Sequence, residues 1–542
     1  MSWGTVHDEA GLFVPQYFSN MIPIANASKA VELVFDANRT AEILSNPMFQ
    51  PDISVSDAMA RNSNTYSFRF NRGRDTLLVG ASYCSASTGR VCHSADIQPV
   101  FASGAAVPGF GQTGDDARFV HQVEDRFTTF AKTGPSLVHP PSHERVHESQ
   151  LDYSHDPTRD LPSFIVHAQT PFNAEPRLPL LVNAGQITPT DIFFKRNHGP
   201  IPDIRLESHK VYIGLQHPDS SPRLDWAELS MYDIMSRWPK VTVTASLQCA
   251  GNRRDGLAAL KEVKGVIWGA GTISNATWSG VRLADVLRDI AGIPTDLSHD
   301  MVRDFHVSFE ADDQVHEDAC YGSSIPLRKA MDPVGDVILA YEMNGKPLTR
   351  DHGFPLRAIV PGYIGARSVK FLQKIIVQPE ESLAFYQRRD YKILPPWVNS
   401  SNVESSWDSA ASLNEMNVQC VICTPLENEM ISSSAPVTIK GYAIAGGGKG
   451  IYRVEISIDG GSTWEPVDRM EQHPDRKSGM FWAWALWEKS VPRIRPSSEI
   501  IARAYDSSGN MQPETPIWNH RGVMNNAWFR VKNVTQLPQH NL

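Results

Sequence analysis

Residues Val241 to Leu247 read VTVTASL, a β-branched run in which apolar and polar positions alternate, and such a run packs as a strand with one face covered. It stops at Cys249-Ala250-Gly251-Asn252-Arg253-Arg254, where Ala and Gly let the backbone turn and two cations come at once. A thiol is thereby delivered to a strand's end beside positive charge, a setting that favours the thiolate and makes it a nucleophile or a soft metal ligand. Cys-Ala-Gly taken alone is more often a buried cysteine before a turn with two solvated arginines, and these residues by themselves leave both readings open.

The chain has 542 residues, enough for roughly three to four domains or fewer large ones. Its net charge of −9 argues against nucleic acid or an anionic membrane surface as the main partner, because both call for a basic face. An anionic substrate needs locally clustered Arg and Lys instead. No apolar run approaches the roughly 18 residues of a membrane-crossing helix. The start, MSWGTVHDEAGLF, carries neither the basic segment of a signal peptide nor an Arg-rich presequence, which predicts a soluble intracellular protein. Six cysteines, at positions 84, 92, 249, 320, 420 and 423, make no disulfide framework. Cys420-x-x-Cys423, with no second pair and no histidine nearby, reads as two small apolar residues in a strand ahead of a zinc or redox site.

Residues 1–157 form a poorly defined N-terminal segment with scattered turns and one helical pattern around Ala30 to Leu44. His139, His143, His147 and His155 fit no closed metal site, and their Pro-rich surroundings read as a solvated linker. From about residue 158 the texture changes. PSFIVHAQTPFNAEPRLPLLV is extended, and Thr188-Pro189 marks a helix start ahead of an aromatic-rich strand that ends in Phe194-Lys195-Arg196-Asn197-His198 and a Gly-Pro turn. DWAELSMYDIMSRWP reads as helix-forming, and WSGVRLADVLRDIAG as a packing helix with a Gly stop. Asp312, Asp313, His316 and Glu317 sit in an acidic loop without the spacing of an EF-hand. Asn344-Gly345 signals a hairpin between AYEM and KPL. Beyond a Ser- and Asn-rich linker near Asn399 to Asn414, strand-like runs recur with Gly, Asp and Ser turns, the pattern of a β-sandwich.

CAGNRR, KEVKG at Lys261 to Gly265, Trp268, TWSGVRL at Thr277 to Leu283, DHGFPLR and GARSVK, in this order, resemble the molybdenum-cofactor domain of the sulfite oxidase and assimilatory nitrate reductase family. The C-terminal strands, closing on PIWNHRGVMNNAWFRVKN, resemble that family's immunoglobulin-like dimerisation domain. The resemblance implies an α+β fold in which residues 158–398 are a mixed molybdopterin-binding oxidoreductase domain and residues 415–542 an all-β sandwich that forms a homodimer. It makes Cys249 the protein's ligand to molybdenum. It also places the molybdopterin among Phe194, Lys195, Arg196, Asn197, His198, Asp313, His352, Arg357, Ser368, Val369 and Lys370. Cations and backbone amides converging from separate loops suit a phosphate-bearing pterin.

By the same resemblance Arg196, Arg254 and Trp268 form the oxyanion pocket, with Lys264 nearby. A guanidinium is apt there because its planar fork matches an oxyanion. Tyr391 matches the tyrosine that faces the substrate in sulfite oxidases, where the nitrate reductases generally place Asn; a phenol can donate a hydrogen bond to an anion. Neither the His-Pro-Gly-Gly mark of a cytochrome b5-type haem domain nor a flavin or nicotinamide signature is present. The expectation is oxidation of sulfite, or a similar small oxyanion, to sulfate without haem, the electrons passing to an external acceptor such as oxygen or a cytochrome. A nitrate reductase-like enzyme and a non-enzymatic binding protein of the same fold are the alternatives. One departure stands out: relatives carry an Arg within an AW-x-LW-type strand, and this chain has Ala485 there. Loss of one charge-assisted bond is worth about 1.5–3 kcal/mol, or roughly ten- to a hundred-fold in binding. The terminal His540-Asn541-Leu542 shares only its Leu with a peroxisomal address, so cytoplasm, peroxisome and mitochondrion all stay open.

Overall fold

The computed structural model describes residues 144–216, 224–294, 304–431, 436–494, 499–532 and 535–536. The helical pattern at Ala30 to Leu44, Cys84, Cys92, His139, His143 and the terminal His540-Asn541-Leu542 lie outside the described residues. Apart from the strand-end residues Gln216, Leu224 and Asp225, every described element belongs to one compact unit, Pro140–Leu215 with Trp226–Leu542.

A hairpin opens the described chain, β1 (Phe164–Gln169) against β2 (Phe172–Pro176), and a short helix α1 (Leu178–Asn183) comes after it. Two larger sheets are next. The first, antiparallel throughout, has the order β10 (Lys346–Pro347), β9 (Ile338–Met343), β6 (Ile273–Arg282), β5 (Val241–Gln248), and β11 (Arg357–Ile359) also pairs with β9. The second has the order β4 (Leu224–Ser230), β3 (Lys210–Gln216), β12 (Leu372–Gln378), β7 (His306–Ala311), β8 (Gly322–Pro326). It is mixed, since β12 runs parallel to β3 and antiparallel to β7. Helices α2 (Met231–Arg237), α3 (Arg254–Ala258), α4 (Leu283–Ile290) and α5 (Leu327–Met331) connect these strands. VTVTASL is a strand as its pattern requires: all eight residues of β5 pair antiparallel with β6, from Val241 opposite Gly280 to Gln248 opposite Ile273.

Two local expectations fail for the same reason. Thr188-Pro189 starts no helix, because the Thr188 hydroxyl accepts the Asn275 N–H of β6 at 3.2 Å instead of capping a turn of its own. The first half of DWAELSMYDIMSRWP is strand β4; only Met231–Arg237 is helical, started by a reciprocal Ser230–Asp233 capping box. The hairpin at Asn344-Gly345 forms, both residues having positive φ (52° and 74°).

The C-terminal half is a sandwich of two four-stranded sheets. One runs β13 (Gln419–Thr424), β15 (Val437–Ile444), β19 (Ala485–Val491), β18 (Arg469–Glu471). The other runs β17 (Glu465–Pro466), β16 (Ile451–Ser457), β20 (Ile500–Asp506), β21 (Phe529–Val531). A small parallel pair is formed by β14 (Met430–Ile431) and β22 (Thr535–Gln536). Strand β13 is covered on both faces. Cys420 and Ile422 enter the sandwich core, while Val421 and Cys423 enter the core shared with the cofactor half. The two thiols therefore point to opposite sides and cannot share a metal, as alternation along a strand requires. The Ser- and Asn-rich segment is no free linker: Leu394, Val398, Val403 and Trp407 bury a small core of their own. Among the described residues no helix is long and apolar enough to cross a membrane.

Candidate active site

Cys249 is the first residue beyond β5. Its N–H donates to the Thr272 carbonyl at 2.9 Å, and its Sγ accepts the Gly251 N–H at 3.4 Å. The chain then turns through Arg253, a non-glycine residue in the left-handed region (φ 63°), a conformation that persists only where the surroundings impose it. The surroundings do. Asn252 donates to Tyr442 Oη at 3.0 Å and accepts the Thr272 N–H at 3.2 Å. Arg253 donates to Gln419 Oε1 at 3.0 Å, while its carbonyl accepts from Asn525 at 2.8 Å. The Met524 N–H closes on the Ala250 carbonyl at 2.7 Å. Tyr442 also donates to the Ala270 carbonyl at 2.8 Å. The sandwich half thus grips the thiol loop and the 268–272 turn behind it. From the other side the Glu175 carboxylate takes the N–H groups of Gly269 and Gly271, both at 2.8 Å, and a Cβ at Gly269 would lie 2.6 Å from that carboxylate.

The thiol opens into a cleft. Its walls include Phe194, Arg196, Asn197 and His198 from one loop, and Asp313 from another. His352, Arg357, Ser368, Val369 and Lys370 come from the β10–β12 region, and Tyr391 from beyond it. Twelve of the fifteen residues singled out from the sequence are thereby brought together. Arg196 is braced by Asn173 of the β1–β2 hairpin at 3.3 Å and by the Asn197 carbonyl. Burial works against its charge, yet Tyr391 and Cys249 beside it hold its pKa above the ordinary value. Burial and the neighbouring Arg357 push the Lys370 ammonium down to about 7 while it donates to Asn197 and to the Asp351 carbonyl. Burial also pushes Asp313 up to about 6, His352 down to about 3 and Arg357 down to about 9.

Three of the fifteen lie behind the wall. Lys195 points away, its ammonium on the Asp191 carbonyl at 2.9 Å and over the Phe164 ring. Trp268 is fully buried, edge-on to His167 at 4.9 Å. Arg254 donates from Nη1 to the Val266 carbonyl (2.7 Å) and from Nε to the carbonyls of Arg521 and Gly522 (both 3.1 Å), which fixes the guanidinium while its charge acts on Cys249 and Arg196. Lys264 is exposed.

The apparent loss of a cation at Ala485 also changes meaning. Ala485 lies opposite Ala443 inside the sandwich core and faces no cleft. A cation does come from the sandwich half, but it is Arg521 of PIWNHRG, paired with Asp390, the residue before Tyr391. It is close enough to Arg254 and Arg196 for burial and those like charges to lower its pKa to about 9. Sequence reading also misses Phe193, Tyr321, Asp351 and Phe371 in the wall. The acidic loop binds nothing jointly: Asp313 accepts the Tyr321 N–H at 2.9 Å, and Glu317 accepts the Tyr386 hydroxyl at 2.6 Å.

A molybdopterin fits this donor set. Among the described residues no three His, Cys, Asp or Glu side chains cluster as metal ligands, so a metal on Cys249 would take its other ligands from a bound group. Arg357, in the wall, has a buried Nε with no partner, placed for an acceptor such as a phosphate or pterin oxygen.

Comparison with known proteins agrees. The family model of the oxidoreductase molybdopterin binding domain matches residues 198–386, and that of the Mo-co oxidoreductase dimerisation domain matches residues 410–536. The chain is 46% identical over 391 residues to the mitochondrial sulfite oxidase of Homo sapiens, covering 71% of this chain and 68% of that one. It is 44% identical over 392 residues to the sulfite oxidase of Arabidopsis thaliana, covering 70% and 96%. A nitrate reductase of Hordeum vulgare is 41% identical over 378 residues, covering 67% of this chain and 41% of that one. The solved sulfane dehydrogenase SoxCD from Paracoccus pantotrophus shares the fold with a TM-score of 0.53 at 23% identity, over 74% of this chain and 95% of its own.

Proposed function

We propose, from the premise that this chain belongs to the sulfite oxidase family of molybdopterin oxidoreductases, that it oxidises sulfite to sulfate in the Cys249 cleft and passes two electrons to an external acceptor. The observation that carries the reading is a single thiol opening into a cleft ringed by Arg196, Arg357 and Lys370, with the phenols of Tyr391 and Tyr321 in the same wall. When bound, the molybdenum cofactor supplies oxygen-atom transfer coupled to two-electron reduction of the metal. In this reading the chain does the rest. Cys249 holds the metal, and soft sulfur suits it. Arg357, Lys370 and His352 hold the pterin and its phosphate, and Asp313 accepts from the ring donors. Arg196 holds the anion, with Arg254 and Arg521 adding positive charge from behind, and Tyr391 offers a directed hydrogen bond. Water restores the oxygen given up, and two protons leave with the two electrons.

The sandwich half, matching a dimerisation domain, supports a homodimer. The names of the mammalian relatives favour the mitochondrion among the compartments left open. The test is metal analysis and turnover of purified protein. The expected result is about one molybdenum per chain, with sulfite-dependent reduction of an acceptor and no comparable nitrate reduction. Cys249→Ser should abolish turnover. A molybdenum-free active protein, or full activity in Cys249→Ser, would refute the ligand assignment.

A further inference from the structure

We infer that His198 is a positioning residue for Tyr391: its imidazole, packed against a stacked pair of tyrosine rings, sets the direction in which the Tyr391 phenol meets the anion. This deepens the proposed role of Tyr391 at the substrate and rests on it. Resemblance assigns His198 to the cofactor, and in the structure its Nε2 also meets a protein hydroxyl. His198 Nε2 lies 3.1 Å from Tyr391 Oη, across 193 residues of chain.

The ring that makes this bond is held from behind, on the side away from the cleft it lines. Its centroid is 4.6 Å from the Tyr321 ring and 4.4 Å from the Tyr386 ring, and those two rings stack on each other at 4.6 Å with 27° between their planes. Each tyrosine is itself tied. Tyr321 donates its hydroxyl to the Ala366 carbonyl at 2.9 Å, and Tyr386 donates to Glu317 at 2.6 Å. The backbone next to the imidazole has no slack, because a Cβ on Gly199 would come within 1.8 Å of the Gln314 carbonyl oxygen.

Burial, and then the cations Arg196, Lys370 and Arg521, hold the imidazole neutral. A neutral ring has one donor and one acceptor; with its proton on Nε2 it donates to the Tyr391 oxygen, which leaves the phenol's single O–H for the anion and places no further charge beside the substrate. An unrestrained phenol hydroxyl would sample many directions and would lose part of its bond to the anion. Locking it with one hydrogen bond is worth about fivefold in rate or affinity, the equivalent of one ordinary hydrogen bond.

The experiment is a double-mutant cycle on molybdenum-replete protein, with His198→Phe, Tyr391→Phe and the pair. It is read as kcat/KM for sulfite and, independently of turnover, as the Kd of sulfate by calorimetry. Each single change should weaken both readouts, His198→Phe by about fivefold, while adding His198→Phe to Tyr391→Phe should cost less than about twofold. A His198 effect that persists undiminished in the Tyr391→Phe background overturns the inference and leaves the proposed function standing. A silent Tyr391→Phe overturns the inference together with the proposed role of Tyr391 at the substrate. If Phe at 198 does not fold, His198→Leu, which also lacks a hydrogen-bonding group, takes its place in the same cycle with the same criteria.

Discussion

Tyr442→Phe removes one oxygen from the seam between the two halves and leaves the packing volume unchanged. That oxygen accepts from Asn252 at 3.0 Å and donates to the Ala270 carbonyl at 2.8 Å, and Tyr442 is fully buried. Without it, an amide N–H and a carbonyl stay in a dry interior unpaired. A stranded buried partner costs about 1–3 kcal/mol, and with each of the two groups taken in the lower half of that range the change should cost about 2–4 kcal/mol. The loss should fall locally, on the thiol loop and on the 268–272 turn, because those are the two segments the oxygen bridges. Native-state hydrogen exchange is the assay, and peptides covering residues 249–258 and 268–273 should exchange roughly 30- to 1000-fold faster than in the parent. Unchanged protection there, or a loss spread evenly over the sandwich, would refute the argument that this hydroxyl holds the loop.

Three further changes test the cleft. Burial raises the Asp313 pKa to about 6, above the ordinary carboxylate range, so below about pH 4 the acid is protonated in both states, and as pH rises from about 4 to 6 the unfolded chain releases its proton first. Stability attributable to this group therefore falls across that window. Asp313→Asn should remove the slope and stabilise cofactor-free protein by about 1–3 kcal/mol at pH 7, as urea midpoints at several pH values would show; an unaltered slope would contradict it. Arg521→Gln should raise KM for sulfite about three- to fivefold, less than loss of a direct charge-assisted contact because this cation acts from behind the wall, whereas Ala485→Ser should leave it within about twofold; the reverse order in steady-state kinetics would restore the sequence-based assignment.

Legibility in the amino-acid sequence divides by the range of the interaction. The strand ending at Cys249 and the Asn344-Gly345 hairpin depend on neighbours a few residues away, and both form as their local chemistry dictates. The wall residues from Arg196 to Tyr391 can be named only because several short motifs recur in a known order, since nothing in RNH or GAR alone specifies a cleft. Arg521 gives no such signal because its partners, Arg254 and Asp390, lie 267 and 131 residues away. The Thr188-Pro189 helix start and the helical reading of DWAELS fail where pairing with a neighbouring strand outweighs a weak local preference. Helix α1 is hidden because Pro179 suggests extended chain, although Pro is well tolerated in a helix's first turn.

The grip of the sandwich on residues 250 to 254 bears on how such a protein can be rearranged. An exchange of C-terminal halves between relatives, in the laboratory or by recombination, would succeed only if Gln419, Tyr442, Met524 and Asn525 travelled as a set with Asn252 and Arg253. A module whose name points outward, toward a second subunit, is also the inner scaffold of the reactive sulfur, and a chimera that kept the dimer but lost those contacts would assemble and yet stay idle.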